Sequence, residues 1–466
     1  MNLPLQLYLI RPNLETGMQA PSLAYDLLLT GADILTAEPQ APLIRAGCIG
    51  ISGDKLGFVG SAPPPGATAA RVVDLAGRLI TPGFINIHLH SALTMVRGVA
   101  ADLGFAPSYT RGIPNAMDLS VEEATALAQL GALEAMLAGS TLIGEHFVHA
   151  DAAIPALAGL GLRVHTSLRL HDVDFAAVAN GAWNYEPEIG TTLLDANLRL
   201  YDDWQGKQNG RVAVQFAAHA ADTCSPAYLK LIAREAQARG ARVNTHLAQS
   251  RTEIERVRQE TGRTPVQVFD AAGLLDDHLL CGHCLYVDDA DLARFAASGA
   301  HVVHIPKCNA ASGRMAPVHK LKGAGMNLTL ATDTQHGDMV ELLRWALATG
   351  RIQEGRVSEA WQPRDVFAMA TINGARALGA AHELGSLKVG KKADLVVIDC
   401  RRAHFTPATD PLGNLVHVAQ GRDVEMVVVD GRIVVEGGHA TLVDEAQIIA
   451  DANRVAQGLW ERARAH

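Results

Sequence analysis

The sequence predicts an α/β fold: a (β/α)8 barrel carrying a small β-sandwich domain built from both chain ends. Three observations predict it. Between residues 81 and 385, apolar strand-like runs alternate with amphipathic helical stretches eight times. Metal-type side chains gather at the C-terminal ends of those runs, the rim where barrel active sites sit. Short, turn-punctuated β text precedes this region and resumes after it. A chain of 466 residues has room for a barrel and a satellite.

The elements follow in order. Residues 1–80 form the first part of the β-sandwich domain, with "YDLLLTGADILT", "GCIGISGDKLGFVG" and "ATAARVVDLAGRLI" reading as strands and turns. The barrel spans 81–385. Its eight strand ends are "FINIHLH" (84–90), "STLIGEHF" (140–147), "LRVHTSLRL" (162–170), "VAVQFAAHA" (212–220), "ARVNTHLAQ" (241–249), "HLLCGHCLY" (278–286), "HVVHIPKCN" (301–309) and "NLTLATDTQ" (327–335). Helical text such as "SVEEATALAQLGALEAML" separates most of them. Residues 386–445 return to β text with an Asp-Gly hairpin at 430–431, and 446–466 have helical apolar spacing.

Composition narrows the function class. Hydrophobic residues make up 48% and charged residues 19%, and the net charge is -9 with no Lys/Arg stripe, which argues against a nucleic-acid partner. No apolar run reaches the roughly 18 residues of a membrane helix. The start, "MNLPLQLYLIRPNLETG", lacks a basic n-region and a long apolar core, so it does not read as a secretory leader. Six cysteines in so long a chain do not form a disulfide framework, and a reducing cytoplasm is expected. Cys281 and Cys284 form a CxxC with no second pair at zinc-ribbon spacing.

The chemistry is expected at the rim. His88 and His90 are two apart, so a strand presents both to one side. His246, His283 and Asp333 end the fifth, sixth and eighth strands. Neutral imidazoles plus one carboxylate, with a coordination position left open, suit a catalytic divalent metal. Isolated histidines such as His165, His171 and His301 read as core or surface residues.

These residues carry a family resemblance over nearly the whole chain. "PGFINIHLHSALTMVRG", "HAADTCSP", "NTHLAQS", "GHCLYVDDADL", "ATDTQHGDMVELL" and "ELGSLKVGKKADLVVID" resemble the strand-end signatures of the amidohydrolase superfamily. The branch is that of triazine chlorohydrolases and nucleobase deaminases, with phenylurea and thiocarbamate hydrolase-like members. The resemblance implies that His88, His90, His246 and Asp333 bind one metal. Asp333 also acts as general base, and His283 polarises the substrate or holds the water. His219, His304 and Asn309 contact substrate, and Gln249 and Glu145 are expected to bind it beside them, Gln249 also as a catalytic residue. One ion is expected because the branch's two-metal relatives use a strand-end lysine, and this chain has no lysine from 56 to 206. Zinc is the default, and iron or cobalt fits the same donors.

Three departures shape the expected reaction. Gln249 stands where deaminases of the branch carry a proton-shuttling Glu, and an amide cannot exchange protons at neutral pH. Glu145 is the candidate substitute acid. Ala221 and Asp222 replace Pro and Tyr beside His219, and Lys307 and Cys308 are unusual on the seventh strand. The leading expectation is therefore a mononuclear metal-dependent hydrolase of a small amide, urea or carbamate, such as an N-aryl urea. The alternative is an aminohydrolase or chlorohydrolase of a purine, pyrimidine or s-triazine ring. A non-catalytic barrel is a third reading, disfavoured by the complete set of ligand types. The partner is a small-molecule substrate, with no membrane or nucleic acid, and the chain is expected to form a homodimer.

Overall fold

The computed structural model describes residues 24–103, 112–334 and 336–465. The stretch read for a leader peptide lies outside them.

The barrel is one parallel sheet. Its strands are Phe84–Leu89, Ser140–Phe147, Arg163–Leu170, Val212–Ala218 (interrupted at Gln215), Val243–Leu247, Leu279–His283, His301–His304 and Leu328–Leu330. They follow one another in chain order around the barrel. All eight expected strand positions are filled. The last strand closes against the first through a parallel bridge between Leu89 and Asp333. Two backbone bonds accompany it, from His90 N to Asp333 O (2.8 Å) and from Asp333 N to His88 O (3.1 Å). Asn86 secures the same seam: its Nδ2 donates to Thr332 Oγ1 (2.8 Å) and its Oδ1 accepts from Thr332 N (3.1 Å).

The strands are buried on both faces, as a parallel sheet covered by helices requires. Helices such as Val121–Leu137 and Pro226–Arg239 turn apolar residues onto the outer face. Ser120 caps the first of these helices and Glu123 reaches back to its amide, which satisfies two otherwise orphaned donors. Inside the barrel, Ile85, Ile87, Leu142, Leu280, Val303 and Ala331 pack with Ala375 and Leu384 in a core separate from the outer layer.

The β layer is built from both chain ends as one nine-stranded sheet. Ala24–Leu35, Leu43–Ser52, Lys55–Gly60, Thr68–Asp74 and Arg78–Pro82 come from the start, and Leu395–Asp399, Val424–Val429, Arg432–Glu436 and His439–Ala440 from the end. The two contributions join where Arg78–Pro82 pairs antiparallel with Leu395–Asp399. Leu56 also exchanges backbone bonds with Gly390 and Lys391, so the sheet folds back over its own apolar core. The final helix, Glu445–Ala465, docks on the barrel: Trp460 Nε1 donates to Met95 O at 2.8 Å, and Arg462 pairs with Glu123. No helix among the described residues is long and apolar enough to cross a membrane.

Candidate metal centre and active site

The site begins with a close approach of the first two barrel strands. The pairing register shifts between Asn86 and Leu89, a bulge that re-aims side chains at a strand end. Gly144 on the second strand makes the approach possible: a Cβ there would lie 2.1 Å from Ile87 O. The seam bonds bring Asp333 beside both histidines. Asp333 and His283 each adopt a left-handed backbone, with φ of 65°. Strained backbone of this kind is concentrated at functional sites.

Three imidazoles converge on one point. The Nε2 atoms of His88, His90 and His246 form a triangle with sides of 3.2, 3.2 and 3.1 Å. Asp333 Oδ1 lies 3.8 Å from His88 Nε2 and 3.5 Å from His90 Nε2. The other ring nitrogens show what the triangle is. His88 Nδ1 faces Asn244 Oδ1 at 2.7 Å, His90 Nδ1 faces His146 O at 2.8 Å, and His246 Nδ1 faces His219 O at 2.9 Å. All three partners are acceptors, so each Nδ1 carries the proton. The orientation of Asn244 is fixed because its Nδ2 donates to Ile87 O (3.2 Å) and to His146 Nε2 (2.8 Å). Three unprotonated Nε2 lone pairs then face one another, and none can donate to another.

Such a donor set fits a cation. Zn–N bonds of about 2.0–2.1 Å in a tetrahedron place nitrogens roughly 3.3–3.4 Å apart, close to the triangle seen. Burial lowers the pKa of His88 and of His246, and holds His90 down to about 3, so all three are neutral ligands at neutral pH. Burial opposes the charge on Asp333, but His283, His90 and His88 outweigh it and keep the carboxyl below its ordinary value. Cys308 Sγ also donates to Asp333 Oδ2 at 3.1 Å.

His283 stands beside the cage, its Nε2 3.9 Å from Asp333 Oδ2. Asn309 Oδ1 accepts from His283 Nδ1 at 2.9 Å, while its buried Nδ2 has no partner among the described residues. Asn309 therefore orients His283 and keeps one donor in reserve. Gln249 is half-buried, with its backbone pinned by Glu253 Oε2 on its N (2.6 Å) and Arg314 Nη1 on its O (3.3 Å). Its side-chain amide makes no hydrogen bond to another described residue.

Three expected site residues sit differently. His219 has both ring nitrogens engaged, Nδ1 with Thr223 Oγ1 (2.6 Å) and Nε2 with Arg169 Nη2 (2.5 Å). Its carbonyl accepts from His246 Nδ1, so both its ring and its backbone are tied into the surroundings of the cage. Glu145 pairs in register with Leu89 and shares its helix-facing side. Its carboxyl accepts from Ser91 N at 2.9 Å, and burial raises it to about 7. Titratable near neutrality, it nonetheless faces away from the cage. His304 pairs with Leu330, a residue of the outer core, and likewise lies on the helix side. In both cases alternation along the strand turns the side chain outward.

Sequence reasoning missed Asn244, His146 and Arg169. Asn244 precedes His246 by two residues on one strand and therefore shares its face; that spacing was the available signal. Arg169 is buried, with its guanidinium 4.4 Å over the Phe175 ring.

Known proteins place this architecture. The model of the Amidohydrolase family matches residues 79–434. A 5-methylthioadenosine/S-adenosylhomocysteine deaminase of Moorella thermoacetica is 34% identical over 89% of this chain and 96% of its own length. A 5'-deoxyadenosine deaminase of Methanosarcina acetivorans is 32% identical over 94% of this chain and 100% of its own. Among solved structures, an adenosine deaminase from Xanthomonas campestris with bound zinc superposes with a TM-score of 0.83 at 24% identity, covering 95% of this chain and 99% of that one.

Proposed function

Since the chain belongs to the amidohydrolase family of metal-dependent hydrolases acting on non-peptide C–N bonds, we propose that it is a mononuclear zinc aminohydrolase that removes the exocyclic amino group of an adenine-type ring carried on a nucleoside. What carries the reading is the complete His88–His90–His246–Asp333 cage in a chain whose full-length relatives are named as deaminases of adenine nucleosides. The cytoplasm and a homodimeric state remain part of the proposal.

These four residues would hold a divalent ion, which would supply the Lewis acidity that makes water nucleophilic at neutral pH. The chain's own groups do the rest. Asp333 takes a proton from the attacking water and returns it to the departing nitrogen, so that ammonia leaves. His283, whose Nδ1 donates to Asn309, presents its Nε2 lone pair to the same space and orients the attacking water by accepting one of its hydrogens. Gln249 offers its amide as a hydrogen-bond donor to a ring nitrogen. The second proton of water ends on that nitrogen without a carboxylic acid to carry it.

Gln249 also favours a second reading, hydrolysis of an amide, urea or carbamate, where no ring nitrogen needs a proton. The first expectation from sequence was this one; the relatives support the ring alternative instead. Mass spectrometry of products from adenine nucleosides, aminopyrimidines, halotriazines, N-aryl ureas and carbamates separates the two. Ammonia with an intact ring, one amino group exchanged for oxygen, is the expected result. Cleavage of a urea into an amine and a smaller fragment overturns the deaminase reading.

A further inference from the structure

An arginine crosses the mouth of the metal site. Arg314 belongs to the loop after the seventh strand, where its N donates to Asn309 O at 2.9 Å. Its side chain reaches the end of the fifth strand, where Nη1 donates to Gln249 O at 3.3 Å. The sixth strand runs between those two and ends at His283. The guanidinium therefore spans the side of the rim on which His283 stands beside the cage. Its charge also reaches Cys308: burial first, then Asp333, push that thiol up, and Arg314 is among the groups that oppose them. Cys308 Sγ is in turn 3.1 Å from Asp333 Oδ2.

The folded chain uses little of this side chain. A guanidinium carries five N–H donors. The one that reaches Gln249 O is long and meets a neutral acceptor. Nη2 has no partner among the described residues, and the half-buried side chain leaves it accessible. Among the described residues no carboxylate lies within ion-pair distance of it. Other cations of the rim are already matched, Lys307 Nζ with Glu341 Oε2 at 2.6 Å and Arg256 Nη2 with Glu260 Oε2 at 3.5 Å. Gln249 sharpens the imbalance. Deaminases of the branch carry a glutamate there, a negative charge on the stretch of backbone that holds the guanidinium, and an amide supplies none. One positive charge is left unmatched at the mouth of the site. An arginine meets a carboxylate with two parallel hydrogen bonds and balances its single charge. A phosphate monoester brings about 1.5–2 negative charges at neutral pH, more than is unmatched.

We propose that Arg314 binds a carboxylate carried by the substrate and makes the site selective for it. The inference rests on the nucleoside reading above and narrows it to nucleosides that bear a carboxylate. The negative charge missing at Gln249 is then supplied by the ligand.

The test uses the zinc-loaded full chain and its Arg314→Ala, Arg314→Lys and Gln249→Glu variants. Ammonia release gives kcat and KM for two matched pairs, adenosine with adenosine 5′-carboxylic acid and S-methyl-5′-thioadenosine with its S-carboxymethyl analogue, and for adenosine 5′-monophosphate. In at least one pair the wild type should favour the carboxylate by about tenfold or more in kcat/KM. Arg314→Ala should lower that ratio by about tenfold, mainly through the KM of the carboxylate, and Arg314→Lys, which keeps the charge, should retain part of it. Gln249→Glu should lower the ratio too, because its carboxylate competes for the guanidinium. Equal loss on both members of a pair would mean a structural role and would overturn the proposal. So would a wild-type preference for the neutral members or for the monophosphate. A carboxylate preference that survives Arg314→Ala would place the carboxylate elsewhere, the metal included, and would also overturn it. If no substrate releases ammonia, the deaminase reading falls by itself, and titration calorimetry with the inosine counterparts of the two pairs decides. Tighter binding of a carboxylate member that is lost in Arg314→Ala sustains the proposal, and equal or absent binding refutes it.

Discussion

Asn244 holds more of the metal centre together than any other residue that is not itself a ligand. Its Oδ1 fixes the tautomer of His88 and its Nδ2 ties Ile87 and His146 to the same point. Groups behind metal ligands set both orientation and basicity. Asn244→Ala should therefore weaken zinc about 10–100-fold with little change in fold, read by competition with a chromophoric chelator. Gln249 gives the sharper mechanistic result. Its amide cannot carry a proton, and a positioned acid is worth about 10²–10⁴-fold. Gln249→Glu should raise kcat for an adenine nucleoside by about tenfold or more, measured by ammonia release. A fall in kcat would show that the amide itself is what the reaction needs.

At the scale of elements, the close fit of the first two strands shapes the end of the barrel that carries His88 and His90. Gly144 lies where a methyl group would meet the Ile87 backbone. Unlike a flexible side chain, backbone on both sides cannot give way. Gly144→Ala should force the strands apart, costing on the order of 1–3 kcal/mol, and should lower zinc content in the purified protein, measured by elemental analysis. The C-terminal helix acts on the same neighbourhood from outside, because Trp460 bonds to Met95, five residues past His90. One buried-side hydrogen bond is worth roughly 1 kcal/mol, so Trp460→Phe should lower Tm by only about 1–2 °C.

Across the whole molecule, the barrel and the β layer are joined by a buried ionic cluster away from the metal. Arg163 at the start of the third barrel strand donates to Asp394 (2.6 and 3.0 Å) and to Asp430 (2.8 Å), both in the C-terminal β text. Arg211 and Lys392 approach Asp430 as well, at 3.3 and 3.2 Å. Removing one partner leaves the others charged and buried. Arg163→Met should therefore destabilise by about 3–5 kcal/mol, seen as a lower denaturant midpoint. The acid response follows from Asp430. Burial raises its carboxyl, but Arg163, Asn209 and Lys392 outweigh that and hold it below the ordinary value. A carboxyl lowered on folding contributes stability above its unfolded pKa of about 3.9, and that contribution is lost as pH falls through the folded value. Tm should be level above about pH 5 and fall below about pH 4, with a shallower acid limb in Asp430→Asn.

By itself the sequence determined the eight strands, the β text at both ends and the residue types of the cage. These follow from local periodicity and from spacing along single strands, as with His88 and His90. It also exposed Gln249, Lys307 and Cys308 as departures from the family's pattern. Only the tertiary structure decided which polar residues meet. Glu145 and His304 read as rim residues, yet strand pairing turns them to the helix side; His219 reads as a substrate contact, and the structure engages both its ring nitrogens with Arg169 and Thr223. Asn244 and His88 lie 156 positions apart, and no local pattern links them. Facing depends on register, and register is set by a bulge and by partners far away in the chain. The amide or urea expectation rests on Gln249 and on general likeness to the branch's urea hydrolases, whereas substrate choice resides in loops whose geometry neither encodes.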